Sequence, residues 1–163
     1  MSVQISLAAP AERAPLFRML ELYQHDLSHI WDQDVDAAGE YGYALDRFWN
    51  APGNWPYMFR VNNQLAGFAL VDTRVKLPDG DFWMDQFFVM KKYRGKGVGA
   101  AAAKAVFDSH VGRWQIGQMP ENDTARNFWR NTIGAYSTSG FDEHAITSGW
   151  WQGSVQCFRS QQR

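Results

Sequence analysis

Cysteine is nearly missing from this chain of 163 residues. Cys157 stands alone, which excludes an internal disulfide and any metal site built from clustered thiolates. An excess of one charge is missing too: sixteen Lys and Arg face seventeen Asp and Glu, so no broad positive field exists to recruit phosphate backbones or anionic lipid. Nucleic acid and membrane partners are therefore disfavoured. Residues 1–23 interrupt their apolar positions with Glu12, Arg13, Arg18 and Glu21, giving neither a signal-peptide core nor a membrane span. A cytoplasmic location is expected. No repeat, low-complexity tract or linker divides the chain, and a single domain over residues 1–163 is expected.

What the chain has in quantity is apolar and aromatic side chain, with 45% hydrophobic residues, eight Trp and eleven Phe. That is enough for a core of its own and a stacking-rich pocket. After Pro10, Leu16, Phe17, Leu20, Tyr23 and Leu27 recur at helical spacing, predicting a helix over 12–30. Residues 31–54 scatter aromatics among acids and glycines and predict an irregular stretch with short helices. Strand formers fill 57–61 and 66–73, and Asn62, Asn63 and Gln64 between them predict a hairpin. A turn at Pro78, Asp79 and Gly80 precedes a strand over 82–90, whose apolar character suits a position covered on both faces. Farther on, the pattern predicts a helix to residue 110 opened by small residues, a strand over 113–119 and a helix over 123–132 stopped by Gly134. Two strands, 135–139 and 150–158, are expected to close the chain.

The chemistry concentrates in Arg94-Gly95-Lys96-Gly97-Val98-Gly99, between a strand and a helix start. Amides at the first turn of a helix point outward together, and glycines let phosphate oxygens approach without meeting a Cβ. Arg94 and Lys96 add positive charge, so a pyrophosphate is the natural guest. Gly95, Gly97 and Ala100 also fit a dinucleotide fingerprint, but the acidic ribose ligand expected about twenty residues later is missing from 113–119. A nucleotide P-loop fails because Gly97 and Val98 follow Lys96 where Ser or Thr is required.

The run from Phe82 to Gly99 resembles the central strand, loop and helix start of the GNAT N-acetyltransferase superfamily. Arg94, Gly97 and Gly99 fill the fixed positions of its Gln/Arg-x-x-Gly-x-Gly/Ala signature. Asn122-Asp123-Thr124-Ala125-Arg126-Asn127-Phe128-Trp129 resembles the same superfamily's second coenzyme-contacting helix. The strand and loop are most similar to those of the diamine acetyltransferases. The resemblance implies an α/β (α+β) GNAT-like fold, with a central mixed, mostly antiparallel β-sheet flanked by helices. It also implies acetyl-CoA as cosubstrate without a metal, and a small-molecule amine as acceptor. Backbone groups of Phe88 and Val89 would hold the pantetheine arm, Arg94, Gly95, Lys96, Gly97, Val98 and Gly99 the pyrophosphate, and Asn122 and Trp129 would flank the arm.

An amine attacks a thioester only through its neutral lone pair, whereas an alkylammonium of pKa about 10 is almost wholly protonated at neutral pH. Asp85 is the candidate base, because the resemblance places an acidic residue there; the alternative role is an ordinary ion pair with a nearby cation. A backbone N–H near Val89 could stabilise the oxyanion. Trp129 occupies the position where the superfamily often has an acidic tyrosine, which leaves the acid unassigned, with Tyr136 among the candidates. Cys157, within a predicted strand, reads as a buried residue rather than a nucleophile.

Other signals are weaker. His25 and His29 lack a third ligand for zinc, and Ala37 and Tyr43 break a calcium loop at Asp32, Asp34 and Asp36. Those acids, with Glu40, Tyr41, Tyr43, Trp49 and Trp55, are a candidate cation-accepting wall. A non-catalytic acyl-coenzyme A sensor and a nucleotide-linked oxidoreductase are the competing readings, and homodimerisation is open.

Overall fold

The structure, a computed structural model, describes residues 1–161. Seven strands form one sheet in the order β1-β2-β3-β4-β5-β7-β6. The strands are β1 (Val3–Leu7), β2 (Asn54–Val61), β3 (Gln64–Asp72), β4 (Phe82–Val89), β5 (Arg113–Gln118), β6 (Asp142–Ile146) and β7 (Gly153–Arg159). The helices are α1 (Arg13–Leu27), α2 (Arg47–Asn50), α3 (Val98–Ser109) and α4 (Asp123–Tyr136). Neighbouring strands are antiparallel except β4 and β5, which run parallel.

Both faces of the sheet are covered, which is why β2 and β3 read as nearly unbroken apolar runs. Met58, Phe68, Leu70 and Phe88 pack with Leu16 and Leu20 of α1, while Phe59, Ala69, Val71 and Ile116 pack with Val106 and Phe107 of α3 and Trp129 and Ile133 of α4. The β2–β3 turn consists of Asn62 and Asn63 alone, with φ of 48° and 67°. Val61 pairs directly with Gln64, and asparagine tolerates the left-handed conformation that a two-residue hairpin demands. Among the described residues, no helix is long and apolar enough to cross a membrane.

Three elements differ from the sequence expectation, each for a packing reason. The edge strand β1 is unpredicted because it pairs only with β2 and leaves most of its side chains in solvent. Helix α4 runs through Gly134 to Tyr136, since Trp129, Ile133 and Tyr136 continue one buried face; burial of that face outweighs the roughly 1 kcal/mol cost of an interior glycine. The chain turns instead at Gly140, with φ of 77°. The strand expected at 135–139 therefore lies farther on, as the largely exposed edge strand β6.

At the C-terminal end of α3, His110 is enclosed by Trp55, Phe82 and Trp114 and shares a 2.6 Å hydrogen bond with Tyr57 Oη. Burial pulls its imidazole down to about 4 from an ordinary 6.5. The unfolded chain thus binds more protons between those values, and stability is lost as pH falls from 6.5 towards 4. Urea unfolding across this window is expected to record a decline of up to about 3 kcal/mol. His110→Phe is expected to flatten it.

Candidate active site

Strand β4 ends in a single 3-10 turn, Lys91–Tyr93, and the chain then passes through Gly95 and Gly97, with φ of 72° and 78°, into α3. Only glycine adopts such angles without strain. The first intrahelical bond is Ala101 N–H to Gly97 O, so the amides of residues 95–100 meet no backbone acceptor among the described residues. Gly95, Lys96, Gly97 and Ala100 lie exposed on this turn. Gly99 also permits close packing, because a Cβ there would lie 3.1 Å from the ring of Phe128.

Arg94 departs from expectation. Its N–H is bonded to Lys91 O, and its side chain turns away from the loop, donating from Nε to Val89 O at 2.7 Å and from Nη2 to Asp26 of α1 at 2.6 Å. The candidate anion contacts are therefore the amides of residues 95–100 and the Lys96 side chain, without the Arg94 guanidinium.

Beside the cradle, β4 and β5 are in register only at Phe82↔Trp114 and Trp83↔Gln115, after which no further pairing joins them. The open edge of β4 carries backbone groups that a sheet would otherwise satisfy. Met90 N–H bonds Ala66 O of the neighbouring β3 chain segment. Antiparallel alternation then turns the backbone of Phe88 towards β3 as well, and that of Phe87 and Val89 towards the gap. Phe88 is thus corrected as a backbone ligand: its ring packs on Tyr23 and Phe68. Val89 N–H and both groups of Phe87 face the opening.

Asp85 sits at a bulge, since Met84 pairs with Val71 and Gln86 with Leu70, leaving no partner residue for the one between. Its Oδ2 accepts from Tyr43 Oη and, at 3.1 Å, from Arg47 Nη2. Arg47 Nη1 also donates to Asp72 Oδ2 at 2.8 Å and Asn54 Oδ1 at 2.6 Å. Burial drives the Asp85 carboxyl above its ordinary range, against the opposing Tyr43 hydrogen bond. Burial and the Asp85 charge push the Tyr43 phenol up to about 12, which keeps it a neutral donor. The sequence reading missed Arg47 and Asp72; the only local signal was the four-residue spacing of Tyr43 and Arg47.

The remaining candidates divide. Asn122 spends Oδ1 on the cap of α4, accepting from Ala125 N–H at 3.3 Å. Trp129 is only 5% exposed, with Phe87 and Phe128 at ring distances of 4.8 and 4.9 Å. It is a core aromatic, and the half-exposed Phe128 is the ring beside Gly99. Tyr136 donates to Asp108 at 2.8 Å at the far end of α4, away from the gap. Burial raises the thiol pKa of Cys157, which disfavours its thiolate. The cation wall assembles only in part: Glu40 and Tyr43 line one cavity with Glu21 and Asp46, whereas Trp55 packs on Phe82 and His110, Trp49 donates to Ala8 O, and Asp36 caps its own turn.

A sequence model of the Acetyltransferase (GNAT) family matches residues 16–135. The chain belongs to the GNAT acetyltransferase family. Solved GNAT-type structures share its fold over nearly the whole length. An acetyltransferase from Thermus thermophilus is 12% identical at a TM-score of 0.70, with 98% of this chain and 97% of that one covered. Aminoglycoside acetyltransferase AAC(6')-Ib, in complex with coenzyme A, is 17% identical at 0.68, with coverage of 97% and 95%. YncA from Salmonella typhimurium, solved with its cofactor acetyl-CoA, is 15% identical at 0.65, with coverage of 100% and 96%. No curated protein sequence matches. GNAT membership makes the chain an acyltransferase, and the amide cradle running into an open strand edge fits acetyl-CoA as its cosubstrate.

Gly97→Ala is expected to impose about 1 kcal/mol of left-handed strain on the loop, although the methyl group itself would meet no atom within 4 Å. Calorimetry should record a loss of about tenfold in coenzyme A affinity, with a melting temperature lower by a few degrees.

Proposed function

We propose that this acetyl-CoA-dependent enzyme acetylates the primary amine of a small molecule by direct attack, with Asp85 as the base. The observation that carries the reading is that β5 leaves β4 unpaired beyond Trp83, so the Val89 N–H and the backbone of Phe87 lie open on the strand that leads into the loop amides of residues 95–100 and that also carries the half-buried Asp85 carboxylate. Acetyl-CoA supplies an activated acyl group on a thiol leaving group. Everything else falls to the chain.

Residues 95–100 and Lys96 hold the diphosphate, and Phe87 and Val89 align the arm along β4. Val89 N–H stands where it can donate to the oxyanion. Asp85, its carboxyl raised by burial, takes the ammonium proton directly or through one water, which frees the nitrogen lone pair. Arg47 and Tyr43 hold that carboxylate in place. As the C–S bond breaks, the second proton carried by the nitrogen of the tetrahedral intermediate passes to the departing thiolate directly or through water; Tyr136, committed to Asp108, and Trp129, enclosed in the core, do not supply it. No covalent enzyme intermediate is needed.

Free-thiol release with polyamines, aminoglycosides, amino acids and peptides tests the assignment. Asp85→Asn is expected to lower kcat/KM by about a hundredfold or more while leaving acetyl-CoA binding in place. Asp85 must be ionised to accept a proton, so wild-type kcat/KM should fall on acidification with an apparent pKa above the ordinary carboxylate range. The variant should lack that limb. Tight acetyl-CoA binding with no thiol release from any acceptor would instead identify a sensor.

A further inference from the structure

Two residues before Asp85 on β4, Trp83 begins a corner that neither the cofactor gap nor the proposed base uses. A cavity of about 150 Å³ opens there, lined by Lys76, Ile146, Ser148, Gly149, Trp150 and Trp151. Lys76 is the one charged residue in that lining, and no carboxylate joins it. The other polar groups are the Ser148 hydroxyl, backbone, and indole N–H groups. No acceptor is bonded to the indole N–H of Trp83, Trp150 or Trp151 among the described residues. The corner is rich in donors, and its one cation, Lys76, feels the Asp72 and Asp85 charges from outside the lining.

It is also held in advance. Lys76 Nζ lies 3.9 Å from the Trp83 ring centroid and 5.4 Å from that of Trp150, and donates to Arg74 O at 2.7 Å. The backbone of its loop is clamped by the buried side chain of Gln115: Oε1 accepts from Lys76 and Leu77 N–H at 2.9 and 3.0 Å, and Nε2 donates to Leu77 O at 2.8 Å. Trp83 and Trp151 meet edge to face over Gly117, where a Cβ would come within 2.5 and 2.7 Å of their rings. Only glycine fits there. Trp150, 88% exposed, stands at the rim as an uncovered aromatic surface.

An ammonium entering this corner meets the Lys76 charge head-on, whereas a carboxylate meets a fixed ammonium and further donors. Lys76 also feels the Asp85 charge directly, so one small molecule between them can present an amine to Asp85 and an acid group to Lys76. We propose that the corner formed by Lys76, Trp83 and Trp150 is a carboxylate subsite, and that the acceptor is a free amino acid whose amine is directed to Asp85. Lys76 is the specificity-determining residue. The inference rests on the acetyl-transfer reading and names the substrate class of the same site.

The test pairs each proteinogenic L-amino acid with its carboxamide in thiol-release assays on the full chain with acetyl-CoA. For the preferred side chain, the acid is expected to exceed the amide in kcat/KM by about tenfold or more, expressed mainly in KM. Lys76→Met should collapse that ratio, and Lys76→Arg should restore part of it. Trp150→Ala, at an exposed loop position where folding is not at risk, should raise KM for apolar amino acids. Amides used as well as acids, or a ratio that survives Lys76→Met, would overturn the subsite while leaving acetyl transfer intact. If thiol release fails with every acceptor, the acetyl-transfer assignment falls by itself. Quenching of tryptophan fluorescence by the same acid and amide pairs on the coenzyme A-loaded protein then decides the subsite. Quenching that requires both the carboxylate and Lys76 supports it, and its absence refutes it.

Discussion

Strands β4 and β5 share only two register pairs before they separate, and the unpaired backbone that results is the constraint on which the site depends. A strand edge inside a sheet is normally closed by its neighbour, because amide and carbonyl groups left without partners are unfavourable. Here the helices α3 and α4 hold the two halves of the sheet together from one face, through Phe87, Phe107, Phe128 and Trp129. The edge is therefore kept open by packing elsewhere. Arg94 covers one carbonyl of it and ties that end of β4 to α1 through Asp26.

Around the opening, charge is arranged by burial. Arg47 bridges Asp72, which is 1% exposed, and Asp85, so two carboxylates share one guanidinium, and the Tyr43 phenol donates to Asp85 alone. Desolvation raises the Asp85 carboxyl, and the hydrogen bonds hold its orientation. A base needs both a proton affinity suited to the working pH and a fixed direction. The bulge at Asp85 supplies the direction, because it interrupts the alternation that would otherwise continue through β4.

The glycine turn and the helix start after it were legible because their determinants are contiguous: glycines at left-handed positions directly before the first helical residue. Asp85 was legible only through its place in the same run. Arg47 and Asp72 were not, since they meet Asp85 across 38 and 13 positions of chain, and no local pattern reports such a meeting. The edge strands β1 and β6 were missed because exposure removes the alternation by which a strand is recognised. Trp129 was misread for a complementary reason: an aromatic next to a coenzyme motif is sequence-adjacent to the site, yet a helix sends neighbouring residues to different faces, and Phe128 takes the outer one. Gln115 gave no signal, because a glutamine that stands in for a backbone strand looks like any other polar residue.

On the far side of the opening, β5, β7 and β6 are stitched together by more than their ladder. Gln118 and Gln156 exchange amide hydrogen bonds at 2.6 and 2.9 Å, and Gln156 continues to Glu143, which Arg130 grips with two. Each half of the sheet is thus stiff, and the seam between them is the thin part of the molecule. A cosubstrate arm held in that seam would pair with the open backbone groups of β4 and add its contacts to the packing that already joins the halves. Occupancy at a thousand times the dissociation constant would add about 4 kcal/mol to the folded state, which ties the resistance of this fold to unfolding to the concentration of its own acyl donor.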